Sequence, residues 1–357
     1  MRAMVKGALA NTAMQGHLQQ NTDQAKFIAT LLKHANQENA NFNHCFLTTT
    51  GVMAGENALK IAFQKKHPAS RVLAFNHCFM GRTLALSQVT DKAAYREGLP
   101  ATLQVDYLPF YCESDHEGSI KATVTALKNH IHRYPKQHAA ICMELIQGEA
   151  GSWVGNTEFF KEIIKVCKEN NIAVIADEVQ TFGRTSKMFA FQHFDLNNDI
   201  DIVTVGKNTQ VCATLFRAEF APRPGLLSQT FTASGASLAA GQAIVDGLAE
   251  GNYFGENGKI QNINRYFTQK LRALEAKHPE KINGPYGTGA MIGMTLFKGD
   301  AVKSKDFTMK LFDQGVISFT AGGNPTRVRF LLPIAVIEEK HIDDVVLIMD
   351  NVLSEMN

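Results

Sequence analysis

Through the first two-thirds of the chain, short aliphatic and β-branched runs alternate with segments whose apolar residues recur every three or four positions. Arg71 to Phe75 (RVLAF), Ala139 to Leu145 (AAICMEL), Ile172 to Ala176 (IAVIA) and Ile202 to Val205 (IVTV) have the length and content of buried strands. Gly55 to Lys65 (GENALKIAFQK) reads as a helix, as does the stretch in which Phe159, Phe160, Ile163, Ile164 and Cys167 share one face. Strands alternating with helices predict an α/β fold, with a mainly parallel sheet covered by helices on both faces. Ser234 to Leu248 is rich in Ala and helix-like. After Gly251 the texture changes to an amphipathic helix (Ile260 to Lys277), Gly-rich turns, short strands and a final helix from Glu338 onward. This change predicts a large domain over 1–250 and a smaller α+β domain over 251–357.

Composition narrows the function. The 357 residues carry 36 Lys+Arg against 34 Asp+Glu, a formal net charge of +2. So even a balance gives no field for phosphate backbones or anionic lipid, which argues against nucleic-acid and membrane partners. An apolar content of 45% excludes a disordered chain. The longest strongly apolar runs are too short to span a bilayer, and the first residues lack the apolar block of a signal peptide. The six cysteines (45, 78, 112, 142, 167 and 212) contain no CxxC, and neither the His-Cys pairs nor His130-Ile131-His132 have the spacing of a metal site. A soluble, reduced, cytoplasmic enzyme without a metal is the expectation.

Ligands of a doubly wound sheet bind beyond the carboxyl ends of its strands, and three strand ends here carry distinctive residues. IAVIADEVQ places Asp177, Glu178 and Gln180 where an apolar run stops; by themselves these read as turn or helix-start residues. DIDIVTVGK ends a buried strand at Gly206-Lys207, where the lysine is either a solvated exit residue or a desolvated amine suited to Schiff-base chemistry. Thr48 to Gly55 (TTTGVMAG) is a small-residue turn ahead of a helix beginning near Glu56, and such a turn presents free amides to a phosphate. No P-loop, dinucleotide fingerprint or GxSxG elbow occurs. A strand-end lysine, a strand-end aspartate and an anion-binding helix start are together what pyridoxal 5'-phosphate requires.

The run Asp177 to Thr185 (DEVQTFGRT), with DIVTVGK placing Lys207 thirty residues after Asp177, resembles the signature of the class III aminotransferases, the ornithine, acetylornithine, GABA and lysine type. The likeness continues, in order, through Thr50-Gly51-Val52, Phe79 to Thr83 (FMGRT), Glu144 to Gly151 (ELIQGEAG), Thr232 to Gly235 (TASG) and Arg329 to Pro333 (RFLLP). It implies the fold type I of pyridoxal-phosphate enzymes and a homodimer with shared active sites. It implies that Lys207 is the Schiff-base lysine and the proton-transfer base, that Asp177 pairs with the pyridine nitrogen, and that Gln180 lies near the phenolic oxygen. Gly51 and Val52 would donate amides to the phosphate, Thr232 a hydroxyl to the phosphate of the neighbouring subunit, and Phe79 would stack on the ring. Arg329 would grip the substrate α-carboxylate and Arg82 the distal carboxylate of glutamate or 2-oxoglutarate. Glu149 would be a switch that pairs with Arg329 when the donor presents its ω-amine; the alternative is a permanent structural ion pair.

Some positions depart from the pattern. Lys207 is followed by Asn208 to Ala213 (NTQVCA) instead of a Gly-rich run, which resembles the lysine ε-aminotransferase branch, whereas the start at Thr50 resembles ornithine aminotransferases. Met80 stands where His or Trp is usual, and a Gly is missing between Thr181 and Phe182. The chain begins after a GHxHP-like N-terminal segment usual in the family, so that segment is expected to be lacking. The resemblance thus implies transfer of an ω-amino group from lysine, ornithine, N-acetylornithine or 4-aminobutyrate to 2-oxoglutarate, with lysine 6-amino transfer the first choice. The alternatives are racemase, decarboxylase or aminomutase chemistry on the same fold, or a truncated, non-catalytic dimerising homologue.

Overall fold

The computed structural model describes residues 1–10, 12 and 20–356. In chain order the strands are His44–Thr48 (β1), Arg71–Phe75 (β2), Gln104–Leu108 (β3), His138–Met143 (β4), Ile146–Gln147 (β5), Trp153–Val154 (β6), Ala173–Glu178 (β7), Ile202–Val205 (β8), Cys212–Phe216 (β9), Ile282–Thr288 (β10), Met291–Leu296 (β11), Phe319–Ala321 (β12) and Arg327–Leu331 (β13). The chain divides into two compact units. One comprises 1–145, 155–183 and 188–251; the other comprises 146–154, 184–187 and 252–357.

The first unit is built on a seven-stranded sheet of order β1-β9-β8-β7-β4-β2-β3. All neighbours from β8 to β3 pair in parallel, and β9 runs antiparallel to both β8 and β1. Every residue of β4, β7, β8 and β9 is buried, as a strand covered on both faces requires. The covering helices follow from side-chain spacing and caps. Thr157–Glu169 buries Phe159, Phe160, Ile163, Ile164 and Cys167 on one stripe, and the Asn156 side chain accepts from the amides of Glu158 and Phe159 at its start. Ser234 caps Gly235–Glu250 in the same way.

One expectation needs correcting at the helix that follows β1. The stretch read as a turn, Thr48 to Gly55, is largely helical: the helix runs Gly51–Lys66 from an N-cap at Thr50. Small residues resemble a turn, but here they are a packing solution, because a Cβ on Gly55 would stand 2.8 Å from Leu86 Cδ1. Gly51 and Val52 are therefore the first two helical residues, whose amides have no intrahelical acceptor. Met80, unusual for its position, is buried in a cluster with Ile61, Leu86 and Val89, with Val52 packed against it.

The second unit holds the four-stranded antiparallel sheet β10-β11-β13-β12. Its helix Lys259–Lys277 buries Ile260, Ile263, Phe267, Leu271 and Leu274 at three- and four-residue steps. Ala301–Asp313, capped by Asp300, and Glu339–Glu355 complete it. Among the described residues no helix is long and apolar enough to cross a membrane.

Candidate active site

Strand alternation sorts the polar residues at the end of β7. Asp177 and Glu178 are adjacent in one strand, so their side chains leave on opposite faces. Glu178 is fully buried and accepts from the amides of Ala190 (2.7 Å) and Phe191 (2.8 Å), the start of the short helix Ala190–His193. Its place is structural: it anchors the chain beneath the strand end. Burial raises its pKa to about 7, against the pull of those two amides and of Thr181.

A pH effect follows from this shift. Between about 4.5, the unfolded value, and about 7 the folded protein keeps a proton on Glu178 that the unfolded chain releases. The associated stability is complete below the lower value and is lost as pH rises through the upper one, on the order of 3 kcal/mol in total. The Tm of the cofactor-free protein is therefore expected to fall between pH 5 and 8 more steeply in the wild type than in Glu178→Gln. Parallel slopes in calorimetric scans would show that this carboxyl carries no such proton.

Asp177 faces the other way. It is buried, its Oδ1 accepts from the amide of Val179 at 2.9 Å, and burial raises its pKa while that amide and the charge of Lys207 oppose the rise. Lys207, just beyond the end of β8, is exposed, as the solvated of the two readings open for it has it. Its backbone carries the other signal: φ is +49°, a region that non-glycine residues seldom adopt and that concentrates at functional positions.

Close approaches tie these strand ends to the helix start. A Cβ on Gly51 would stand 2.7 Å from Val179 Cγ1, and one on Gly206 would stand 3.1 Å from the same atom. A Cβ on Gly81 would stand 2.4 Å from Val52 Cγ2. The Thr50 side chain accepts from the Met53 amide and its carbonyl from the Ala54 amide, so the helix is capped while its first two amides point outward. The partial positive charge of a helix start favours an anion there. Val179 was missed in the sequence because a valine between two polar residues carries no chemical mark.

The turn Phe79 to Thr83 is shaped by residues with equally little sequence signal. Glu144, buried at the end of β4, accepts from the Phe79 amide at 2.7 Å. The Thr90 hydroxyl accepts from the amides of Met80 (3.0 Å) and Gly81 (3.1 Å). Phe79 is half-buried and meets the Tyr95 ring edge-on, with centroids 6.2 Å apart. Arg82 is exposed, its guanidinium 5.3 Å from the centre of that same ring. Gln180 is buried in the turn after β7. Thr232 is buried and its Oγ1 accepts from Gln24 Nε2 at 3.1 Å.

Two of the expected residues belong to the second unit. Arg329, on β13, is buried, and its guanidinium forms an ion pair with the Glu149 carboxylate. The two side chains differ in exposure, 6% for Arg329 against 36% for Glu149. Arg184 is buried in the same unit. Burial lowers its pKa to about 10, and the like charge of Arg329 adds to the effect.

The described residues thus supply a strand-end lysine, a buried carboxyl that a cationic partner would relieve, two outward helix amides and a glycine-lined approach to Val179. This donor set fits pyridoxal phosphate. Residues 2–353 match the family described as aminotransferase class-III. The chain belongs to the class-III aminotransferases.

Curated relatives of this class-III aminotransferase include the acetylornithine aminotransferase of Caldanaerobacter subterraneus, 29% identical over 334 residues that cover 89% of this chain and 78% of the relative. A [LysW]-aminoadipate semialdehyde transaminase of Deinococcus radiodurans is 31% identical over 323 residues, covering 87% and 68% of the two chains. Among solved structures, a lysine aminotransferase from M. tuberculosis matches with a TM-score of 0.87 at 24% identity, over 99% of this chain and 84% of that one. The last is a likeness of fold. Membership of the family makes the protein a transaminase that uses pyridoxal phosphate, on the mainly parallel α/β architecture described above.

Proposed function

We propose that the protein transfers an amino group from the end of an aliphatic amino acid of the lysine, ornithine, N-acetylornithine or 4-aminobutyrate type to 2-oxoglutarate, giving glutamate. The observation that carries this reading is the Arg329–Glu149 pair. A buried guanidinium needs an anion, and its present partner is one that can leave, because the Glu149 side chain is over a third exposed. Rotation of Glu149 toward water would cost that carboxylate little and offer Arg329 to the α-carboxylate of glutamate or 2-oxoglutarate. With Glu149 in place, the pair presents little net charge to a donor that reacts through its ω-amine. Arg82 is assigned to the distal carboxylate of the acceptor. Of the donors, lysine is supported by the run after Lys207, and N-acetylornithine by the names of the relatives.

Pyridoxal phosphate, when bound, supplies an aldehyde that captures amines and a ring that takes up the electron pair released at the substrate carbon. The first unit is assigned as its domain and the second as the smaller C-terminal domain. Lys207 would hold the cofactor through its Nζ and then move the proton between the donor carbon and the cofactor carbon. Asp177 would keep a proton at the pyridine nitrogen, and Gln180 would donate to the phenolic oxygen. Gly51 and Val52 would bind the phosphate through their amides, and Phe79 and Val179 would confine the ring. Thr232 is assigned to the phosphate held by a second copy, which makes the protein a homodimer. Six free cysteines, four of them buried with thiols pushed up by burial, accord with a cytoplasmic location.

The test is an amino-donor screen of the holoenzyme, comparing lysine, ornithine, N-acetylornithine and 4-aminobutyrate, with glutamate as the readout. Glutamate is expected from at least one of them, and only when 2-oxoglutarate is present. Turnover of a donor without any oxo-acid would instead favour racemase or decarboxylase chemistry.

A further inference from the structure

If Glu149 alternates between two positions, as the proposed function requires, something must hold its backbone while the side chain moves. Arg327 lies two residues before Arg329 on β13, so both side chains leave the same face of the sheet, opposite Thr295 and Gly293 of β11. The segment carrying Glu149 crosses that face in register. The Glu149 carboxylate meets Arg329. Two residues on, the Gly151 carbonyl accepts from Arg327 Nη1 at 2.9 Å. Two further on, the Trp153 ring lies 3.9 Å from the Arg327 guanidinium, which also meets the Tyr286 ring at 3.7 Å. Arg327 is 97% buried between these rings; burial lowers its pKa only to about 10, so it stays charged at neutral pH.

The turn is tied down from other sides as well. Its amides close on themselves, Gly151 to the Gly148 carbonyl and Ser152 to the Gln147 carbonyl, while Trp153 Nε1 donates to the Ala150 carbonyl at 3.0 Å. The Gly322 amide donates to the carbonyl of Glu149 itself at 2.7 Å. Gly151 has φ +111°, and a Cβ there would stand 2.7 Å from Arg327 Cδ, so the turn rests directly on the arginine stem. The family resemblance gave this residue no role.

We propose that Arg327 is a positioning residue: by clamping the turn through the Gly151 carbonyl and the Trp153 ring, it sets how strongly Glu149 occupies Arg329 and hence how the enzyme divides its efficiency between ω-amino donor and 2-oxoglutarate. The inference rests on the switch reading of Glu149, and the test separates the two. Single-turnover half-reactions of the holoenzyme, followed by cofactor absorbance, give kcat/KM for the donor and for 2-oxoglutarate. In Arg327→Met, which keeps the stem and removes the charge and donors, the donor half is expected to fall about tenfold while the acceptor half holds or improves. Arg327→Lys is expected to restore part of the ratio. In a Glu149→Gln background, Arg327→Met should leave the ratio unchanged, because the residue it acts through is already disabled. Trp153→Phe, a milder change, should move the ratio about threefold in the same direction and decides the matter if Arg327→Met does not fold.

If Glu149→Gln alone leaves the ratio unmoved, the switch reading fails. If it moves the ratio but Arg327→Met lowers both halves equally, or shifts the ratio just as far in the Glu149→Gln background, the positioning role is overturned.

Discussion

Lys207→Ala is expected to lower kcat by about 10⁴-fold, the upper end of what a positioned proton-transfer group contributes, with the protein still folded. The size follows from two roles being lost together, the covalent hold on the cofactor and the transfer of the substrate proton. Folding should survive because Lys207 is exposed and its side chain fills no core. Its left-handed backbone is costly for any side chain but glycine, so the substitution removes no favourable local geometry. Added amines should restore part of the proton-transfer rate, which a merely structural lysine would not allow. Steady-state rates with a good donor, measured beside circular dichroism of the same preparation, check both halves of the expectation. Retention of more than a few per cent of the activity would remove Lys207 from the centre of the site.

Asp177→Asn should cost about 10³-fold in kcat while leaving the cofactor-free fold as stable as before or more so. The activity loss follows because an amide cannot keep a proton at the pyridine nitrogen, so the electron sink weakens. The stability expectation follows from the environment. Burial raises the pKa of Asp177, so the buried charge is a cost to the cofactor-free fold, and a neutral amide relieves it. The acceptor for the Val179 amide is retained, since asparagine offers an oxygen at the same place. Opposite movements of activity and Tm are the signature of a residue held at a functional site. A large drop in Tm with activity unchanged would make Asp177 a structural carboxylate.

The parts of this architecture that one strand or helix determines by itself were legible in the chain. Ile202–Val205 was read with its observed bounds, and the apolar run Ile172 to Ala176 marks β7 because buried parallel strands are continuous in Val, Ile and Ala. The helix carrying Phe159 and Phe160 was legible from its spacing. What depends on partners distant in sequence was not. The antiparallel direction of β9 follows from its neighbours, not its composition. The assignment of 146–154 and 184–187 to the second unit rests on contacts with β10, β11 and β13 that no local pattern reveals.

The site divides along the same line. Lys207 and Asp177 stand at strand ends, where position alone marks a polar residue, and their spacing carries the family signature. Their environments were not legible: the lysine is exposed and the aspartate buried. Glu178 looked as chemical as Asp177 in the sequence, and only strand alternation turns it toward the amides of Ala190 and Phe191. Val179, Thr90 and Arg327 shape their surroundings through packing and backbone contacts, and such roles leave no motif.

The most direct measurement is to load the purified protein with pyridoxal phosphate, reduce it with borohydride, digest it and locate the fixed cofactor by mass spectrometry. The expected result is one modified site per chain, on the peptide containing Lys207, with the cofactor absorbance lost in Lys207→Ala. Stoichiometric modification of a different lysine, or no specific modification in a protein that still transfers amino groups, would contradict the account.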